Sequence, residues 1–200
     1  MRTSLFAAVS CAALLAVAAA PAAALPALPS APAGVSAVSD TISDDELRSF
    51  ATAMEAVQPI AAAVTGGAPT AEQQAQMATA IEASGLALER FNAISTAVST
   101  DAVVRARLNL ATTEPSPAGS AASAVTDAEV EQFAVAMAAV QPIAAALNGA
   151  APTADQQEEM ATAIEASGLS RERFNAISGA VSQDARLRAR LAVADARRAG

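Results

Sequence analysis

Hydrophobic and polar positions recur along much of this chain with the period of an α-helix. One apolar stripe, with steps of three and four residues, consists of Leu47, Phe50, Met54, Val57, Ala61 and Val64. Ser43 precedes it and Glu46 follows three positions later, which is the pattern of a capping box. Pro59 is expected to kink this helix, and Gly66-Gly67 to end it. The pattern therefore predicts a long amphipathic helix that begins after Ser43.

A second helix is predicted to begin at a second capping box, Thr70 with Gln73. Ile81 supplies its last apolar contact. Gly85 stands where a residue in the left-handed conformation would end the helix, and Leu86 is placed to pack back on the last turn. The pattern indicates a helix stop followed by a tight turn.

Two more helices follow from the same periodicity. Their inward-facing positions are Phe91, Ile94 and Val98 for the third helix, and Val104 and Leu108 for the fourth. Asp101 is predicted to cap the fourth helix. Asn92, beside Phe91, is expected to bond a neighbouring loop backbone rather than a ligand, because buried amides are normally satisfied within the protein.

This whole pattern occurs twice. Residues 42–111 align without gaps on residues 125–194, and 48 of the 70 pairs are identical. IEASGLALERFNAIS from Ile81 returns as IEASGLSRERFNAIS from Ile164, where Ser170 is placed to cap the next helix. The equivalent structural positions are Gly168, Leu169, Phe174, Asn175, Ile177 and Asp184. We interpret the repeated motif as architectural: a helix stop, a turn and a restart.

The repeat predicts an all-α protein built from two tandem copies of a small three- or four-helix domain. The first copy is assigned to residues 41–111 and the second to residues 125–196. Between them, residues 112–124 are rich in Pro, Ser and Ala and are predicted to form a flexible linker.

The amino-terminal segment predicts export. Arg2, an apolar run and the small residues Ala22-Ala23-Ala24 have the layout of a secretory signal peptide over residues 1–24, followed by a disordered leader over residues 25–40. The alternatives are an uncleaved anchor, for which the run is short and alanine-heavy, and a lipoprotein, for which Cys11 comes too early. Cleavage would leave a cysteine-free mature chain, periplasmic or secreted.

The amino-acid composition narrows the classes of partner that this chain could bind. Hydrophobic residues make up 53% of the chain but aromatic residues only 2%, and there is no lysine or histidine. Removing Arg2 leaves eleven arginines against twenty acidic residues, a net charge of about −9. Such a surface repels nucleic acid and anionic lipid, so we expect no nucleic-acid partner, and no membrane insertion after signal cleavage.

Three segments resemble a known family. SDDELRSFATAM, MATAIEASGLALERFNAIS and DAVVRARL, with their counterparts from Thr126, are similar to the bacterial domain-of-unknown-function family numbered 4168 (DUF4168). The resemblance covers both copies, about 140 of 200 residues. It implies an exported helical protein and supplies no activity. The departures are the duplication and the alanine-rich first helix.

Few residues could perform chemistry. The candidates are Glu82, Glu89, Arg90, Asn92 and Asp101, with Glu165, Glu172, Arg173, Asn175 and Asp184. Glu82 and Glu89 could pair as acid and base, but they lie on different helices with no aromatic platform for a sugar. Histidine-based triads are excluded, and no calcium loop or phosphate loop is present. We therefore predict no catalytic residue, no cofactor and no metal.

The remaining arginines also have a structural interpretation. Arg105, Arg107, Arg188 and Arg190 are expected to complement the negative end of the last helix of each copy. Glu89 and Arg90 are expected to form solvated surface or weak local ion pairs.

Two hypotheses for function follow. The first is a non-enzymatic binding module of the cell envelope, whose partner is another protein or an envelope component and which could self-associate. The duplication favours it, since two linked copies raise avidity. The alternative is a periplasmic chaperone or stress protein of the small helical type, because PTAEQQAQM and PTADQQEEM resemble the Thr-x-x-Gln helix starts of such proteins.

Overall fold

The computed structural model describes residues 41–64 and 68–200, and in these ranges the secondary structure consists of helices and turns without strands. The helices of the first copy are α1 (Asp44–Ala62), α2 (Ala71–Ala83), α3 (Leu88–Thr100) and α4 (Ala102–Thr112); those of the second are α5 (Asp127–Ala146), α6 (Ala154–Ala166), α7 (Arg171–Gln183) and α8 (Ala185–Ala199). The prediction of an all-α protein is confirmed. The predicted signal peptide, leader and Gly66-Gly67 stop, together with Cys11, lie outside the described residues.

Side-chain caps mark the start of seven of the eight described helices; α3, with Ala87 at its N-cap, has none. The side chains of Ser43 and Thr70 each accept a hydrogen bond from the backbone N–H three residues later, and the Glu46 and Gln73 side chains accept from the cap's own N–H. Thr126 and Thr153 repeat both boxes in the second copy. Ser170, Asp101 and Asp184 cap α7, α4 and α8. These predicted caps are therefore confirmed.

Each copy has its own cluster of buried side chains. The first contains Ile42, Leu47, Phe50, Ala53, Ile81, Leu86, Phe91, Ile94, Ala97 and Val104. The second contains Ala122, Val125, Val130, Phe133, Ala136, Ile164, Leu169, Phe174, Ile177, Ala180 and Leu187. An aromatic pair joins the first and third helices of each copy, with ring centroids 4.9 Å apart. The third helix, which carries the repeated motif, is thus anchored to the first.

One part of the predicted stripe on α1 is wrong. Met54 is 40% exposed, whereas its neighbour Ala53 is completely buried. At this level α1 contributes the small side chain of Ala53 to the core. The longer thioether chain of Met54 lies on the solvent side.

The two copies touch through their last helices, α4 and α8. Ala189 and Val193 of α8 are buried outside both core clusters. The Arg186 guanidinium at the start of α8 donates hydrogen bonds to the carbonyl oxygens of Leu110 and, at 2.8 Å, of Thr113. These contacts tie the beginning of α8 to the end of α4.

The segment between the copies also makes specific contacts. The Ser116 hydroxyl donates to the Asp184 carboxylate at 2.9 Å, and Ala122 is buried in the second core. The flexibility of residues 112–124 stays a prediction, as do the predicted domain boundaries on either side of this segment. Within the described ranges, no helix is both long and apolar enough to cross a membrane.

Candidate functional site

A groove of about 490 Å³ lies between the second half of α5 and the helix α6. It is lined by Ala139, Pro142, Ile143, Ala146, Gln156, Glu159 and Ala163. Five of these seven residues are apolar, and three are alanines, whose small side chains leave space between the helices. The groove therefore presents apolar surface between the two helices.

The residues of this groove recur in the first copy. Ala56, Pro59, Ile60, Ala63, Gln73 and Ala80 stand at the equivalent positions and are identical, while Gln76 replaces Glu159. They lie on α1 and α2, or directly after α1. The repeat thus preserves six of seven lining residues, although these exposed or half-buried positions lie outside both core clusters.

The two helices that form the groove carry a net negative charge. The helices α5 and α6 carry seven acidic residues and no basic residue. Glu129 and Asp127 are paired with arginines, at 2.7 Å and 2.6 Å, and Glu165 lies 3.6 Å from Arg171. Asp155, Glu158 and Glu159 are exposed, and no arginine in the described part of the chain forms an ion pair with them.

Gln156 lines the groove, but its side-chain oxygen already accepts a hydrogen bond. The donor is the backbone N–H of Thr153 at 2.9 Å, and this bond closes the capping box of α6. Glu159 is consequently the charged lining residue whose carboxylate is available to a ligand.

The repeated motif lies away from this groove and forms the turn between the second and third helices. Gly85 and Gly168 have φ angles of 87° and 91°, the left-handed conformation that the sequence predicts for the helix stop. Leu86 and Leu169 follow and are buried at 6% and 4% exposure. The motif residues Phe91, Ile94, Phe174 and Ile177 are also buried.

The expectation for the two asparagines is wrong. Asn92 and Asn175 are exposed, and among the described residues neither side-chain amide forms a hydrogen bond. Each follows a buried phenylalanine by one position, and one residue turns the side chain about 100° around a helix. That rotation directs the amide to solvent instead of to a loop.

An ion pair between distant residues was not predicted. The Arg90 guanidinium donates to both oxygens of the Glu46 carboxylate, at 2.7 Å and 3.1 Å. Arg173 and Glu129 repeat this pair at 2.7 Å and 3.0 Å. The expectation of weak local pairs for Arg90 is therefore wrong. Both partners are identical in the two copies at the same separation, which is the signal that could have revealed the pair.

These pairs change the acidity of the carboxylates. The hydrogen bonds from Arg90 and from the backbone N–H of Ser43 lower the pKa of Glu46 from 4.5 to about 2. Arg173 and the backbone N–H of Thr126 lower the pKa of Glu129 in the same way, to about 2. A carboxylate that stays ionised and fully bonded is a poor general acid.

The predicted role of the four later arginines is also corrected. Arg107 and Arg190 each bind, at 2.6 Å, an aspartate in the first turn of their copy's first helix, Asp44 and Asp127. Arg188 donates to the carbonyls of Val181 and Ser182, at the end of the preceding helix. Arg105 makes the same kind of contact. Side chains on a helix lean toward its amino terminus, which carries these arginines away from the helix end that was predicted.

The other candidate carboxylates do not converge. Glu82, Glu89, Glu165 and Glu172 are exposed, whereas Asp101 and Asp184 accept backbone hydrogen bonds as helix caps. Hydrogen bonds from the backbone N–H of Leu187 and from Ser116 lower the pKa of Asp184. In the part of the chain that the structure describes, no group of three or more potential metal ligands is arranged around one point.

Comparison with known proteins gives one match. Residues 149–191 match the family model of the domain of unknown function (DUF4168), which confirms the resemblance for this segment of the second copy. The match contains α6, α7 and the first half of α8. The first copy is not matched, so the presence of two family domains stays a prediction. No curated protein and no solved structure matches the chain.

Proposed function

We propose that this chain, whose second copy contains a DUF4168 segment, is an exported, non-enzymatic helical protein that serves as a binding module of the cell envelope. The groove between α5 and α6 is its contact surface. One observation carries the proposal: six of the seven lining residues are the same in both copies.

The groove suits an apolar segment of another protein. Its alanines, Pro142 and Ile143 offer apolar surface that is exposed or half-buried in the free protein, and covering such surface stabilises a complex by roughly 25 cal/mol per Å². Grooves between two helices are a recurring docking surface for amphipathic segments. A second copy of the same lining on one chain would increase the apparent affinity for a partner that presents two such segments.

A non-enzymatic role agrees with the chemistry of the groove. Glu159 is its one charged lining residue, and no second acid, base or nucleophile lines it. Acid and base catalysis requires at least two groups in reach of one substrate.

The alternative of a periplasmic chaperone has less support. The Thr-x-x-Gln segments that suggested it serve as capping boxes of α2 and α6. An assay of aggregation suppression separates the hypotheses: strong protection of an unfolded client at an equimolar ratio would favour the chaperone.

The binding hypothesis is tested in the mature chain, residues 25–200, by filling the groove and changing the equivalent position of the first copy. Ala139→Gln places a longer side chain in the groove, and Ala56→Gln does so at the equivalent position of the first copy. The matched control is Ala62→Gln with Ala145→Gln, exposed positions on the same helices that do not line the groove. Envelope proteins captured by the unmodified chain are identified, purified and titrated against each variant. We expect the groove variant to lose binding and the control to retain it; equal binding by both variants contradicts the proposal.

A further inference from the structure

The first copy has the same apolar residues at the positions equivalent to the groove lining, which we call the first groove. Its charge differs from that of the groove between α5 and α6, the second groove. Glu158 and Glu159 of the second copy correspond to Ala75 and Gln76 of the first. All four residues are exposed, so the core does not demand either set. At these two positions the second copy therefore carries two more negative charges than the first.

These charges are positioned to act on a ligand. Glu159 lines the groove, and Asp155 lies one helical turn before it, on the same side of α6. Glu158 directly precedes Glu159 in the same helix. The three carboxylates thus form an acidic edge beside apolar surface.

No group of the described chain neutralises this edge. Three arginines of the second copy pair with other carboxylates: Arg171 with Glu165, Arg173 with Glu129, and Arg190 with Asp127. Unpaired carboxylates of one sign beside an apolar groove attract a ligand that is apolar on one side and positively charged on the other.

We propose that the groove between α5 and α6 binds a basic amphipathic segment of another protein, whose apolar side covers Pro142 and Ile143 and whose lysines or arginines lie against Asp155, Glu158 and Glu159. This inference rests on the proposed function and specifies its partner. The first groove, with Ala75 and Gln76, takes the same kind of segment with a weaker dependence on its charge. The duplication has therefore produced two unequal sites.

The test uses the mature chain, residues 25–200, and two fluorescent helical peptides with identical leucine positions. One peptide carries lysine at its polar positions and the other carries glutamate. The key variant, Glu158→Ala with Glu159→Gln, gives the second groove the residues of the first. The control, Glu165→Gln with Glu172→Gln, removes the same number of charges from exposed positions outside the groove.

We expect the lysine peptide to bind the unmodified chain more tightly than the glutamate peptide does. The key variant should lower the affinity for the lysine peptide by about three- to tenfold at low salt, which is the effect of losing two exposed charge pairs. The control should lower it by less than about twofold. The difference should shrink at high salt, because exposed charges are screened. The reciprocal variant, Ala75→Glu with Gln76→Glu, should raise the affinity for the lysine peptide.

The contrary outcomes are distinct. No binding of the lysine peptide, or equal weakening by the key variant and the control, overturns the inference. If both peptides bind equally and Ala56→Gln with Ala139→Gln abolishes both, the groove is a binding site but its partner need not be basic. If binding persists in that groove-filling variant, the proposed function fails as well. If sedimentation shows that the chain dimerises through the groove, its occupant is a second copy, and the basic partner is rejected.

Discussion

Arg173 binds Glu129 through two nitrogen atoms, with Nε 2.7 Å from Oε1 and a terminal nitrogen 3.0 Å from Oε2, although the residues are 44 positions apart. The same carboxylate accepts a hydrogen bond from the backbone N–H of Thr126 at 2.9 Å. One side chain thus completes the cap of α5 and joins the start of that helix to the start of α7. Glu46 and Arg90 do the same in the first copy.

This pair predicts a loss of stability in acid. The folded-state pKa of Glu46 and Glu129 is about 2, below the ordinary value of 4.5. Their contribution to stability is therefore complete above about pH 4.5 and is lost as the pH falls toward 2. Glu46→Gln with Glu129→Gln should lower the free energy of unfolding at pH 7 by about 1 kcal/mol per site, a value discounted for partial exposure. Gln keeps the capping box, as in α2 and α6.

Urea unfolding at pH 7 and pH 3 checks this prediction. The difference between the variant and the unmodified chain should be smaller at pH 3, and a difference independent of pH would contradict it. Glu165→Gln is the control, because its partner Arg171 is 3.6 Å away and both side chains are more than half exposed. It should leave the pH dependence unchanged.

The two helix stops allow a comparison of backbone strain with steric contact. Gly85→Ala and Gly168→Ala should each destabilise the chain by about 1–2 kcal/mol, because both positions are left-handed. A Cβ atom at Gly168 would lie 2.7 Å from the Gln132 side-chain nitrogen, whereas one at Gly85 meets nothing within 4 Å. Gly168→Ala should be the worse by a few tenths of a kcal/mol, since the Gln132 side chain can move. Gly168→Val should be worse than either, because β-branching adds strain. Thermal melts of the four proteins give the order; a neutral Gly85→Ala would rule out the strain argument.

Adjacent motif residues should differ strongly in their effect. Phe174 is buried and its ring centroid lies 4.9 Å from that of Phe133, so Phe174→Ala should cost about 3–5 kcal/mol. Asn175 is exposed, so Asn175→Ala should change the free energy of unfolding by less than about 0.5 kcal/mol. Denaturant unfolding of the full chain measures both. A large effect of Asn175→Ala on the binding of a ligand, without loss of stability, would indicate a site in the motif.

Contact between the copies depends on an arginine that the first copy lacks. Arg186 corresponds to Val103, and Arg186→Val removes its hydrogen bonds to Leu110 and Thr113. We expect a loss of about 1–3 kcal/mol and faster proteolytic cleavage in residues 112–124, which we predict to be cut first in the unmodified chain as well. Arg197→Val, an exposed change farther along α8, is the control. Equal cleavage rates in the two variants would show that Arg186 does not restrain this segment.

The sequence by itself determined where α1 and α2 begin and where α2 ends. Ser43 with Glu46, Thr70 with Gln73, and Gly85 were sufficient, because caps and left-handed stops depend on hydrogen bonds and backbone angles within a few residues. The repeat then located the same features in the second copy.

Only the tertiary structure decided which surfaces meet. The burial of Ala53 instead of Met54 could not be predicted, because alanine is frequent on every face of α1 and gives little hydrophobic contrast. The pairing of Arg173 with Glu129 and the contact of Arg186 with α4 join residues 44 to 76 positions apart. The groove between α5 and α6 likewise exists only once two helices have packed. Such relations depend on the relative placement of distant helices, which local sequence preferences do not specify.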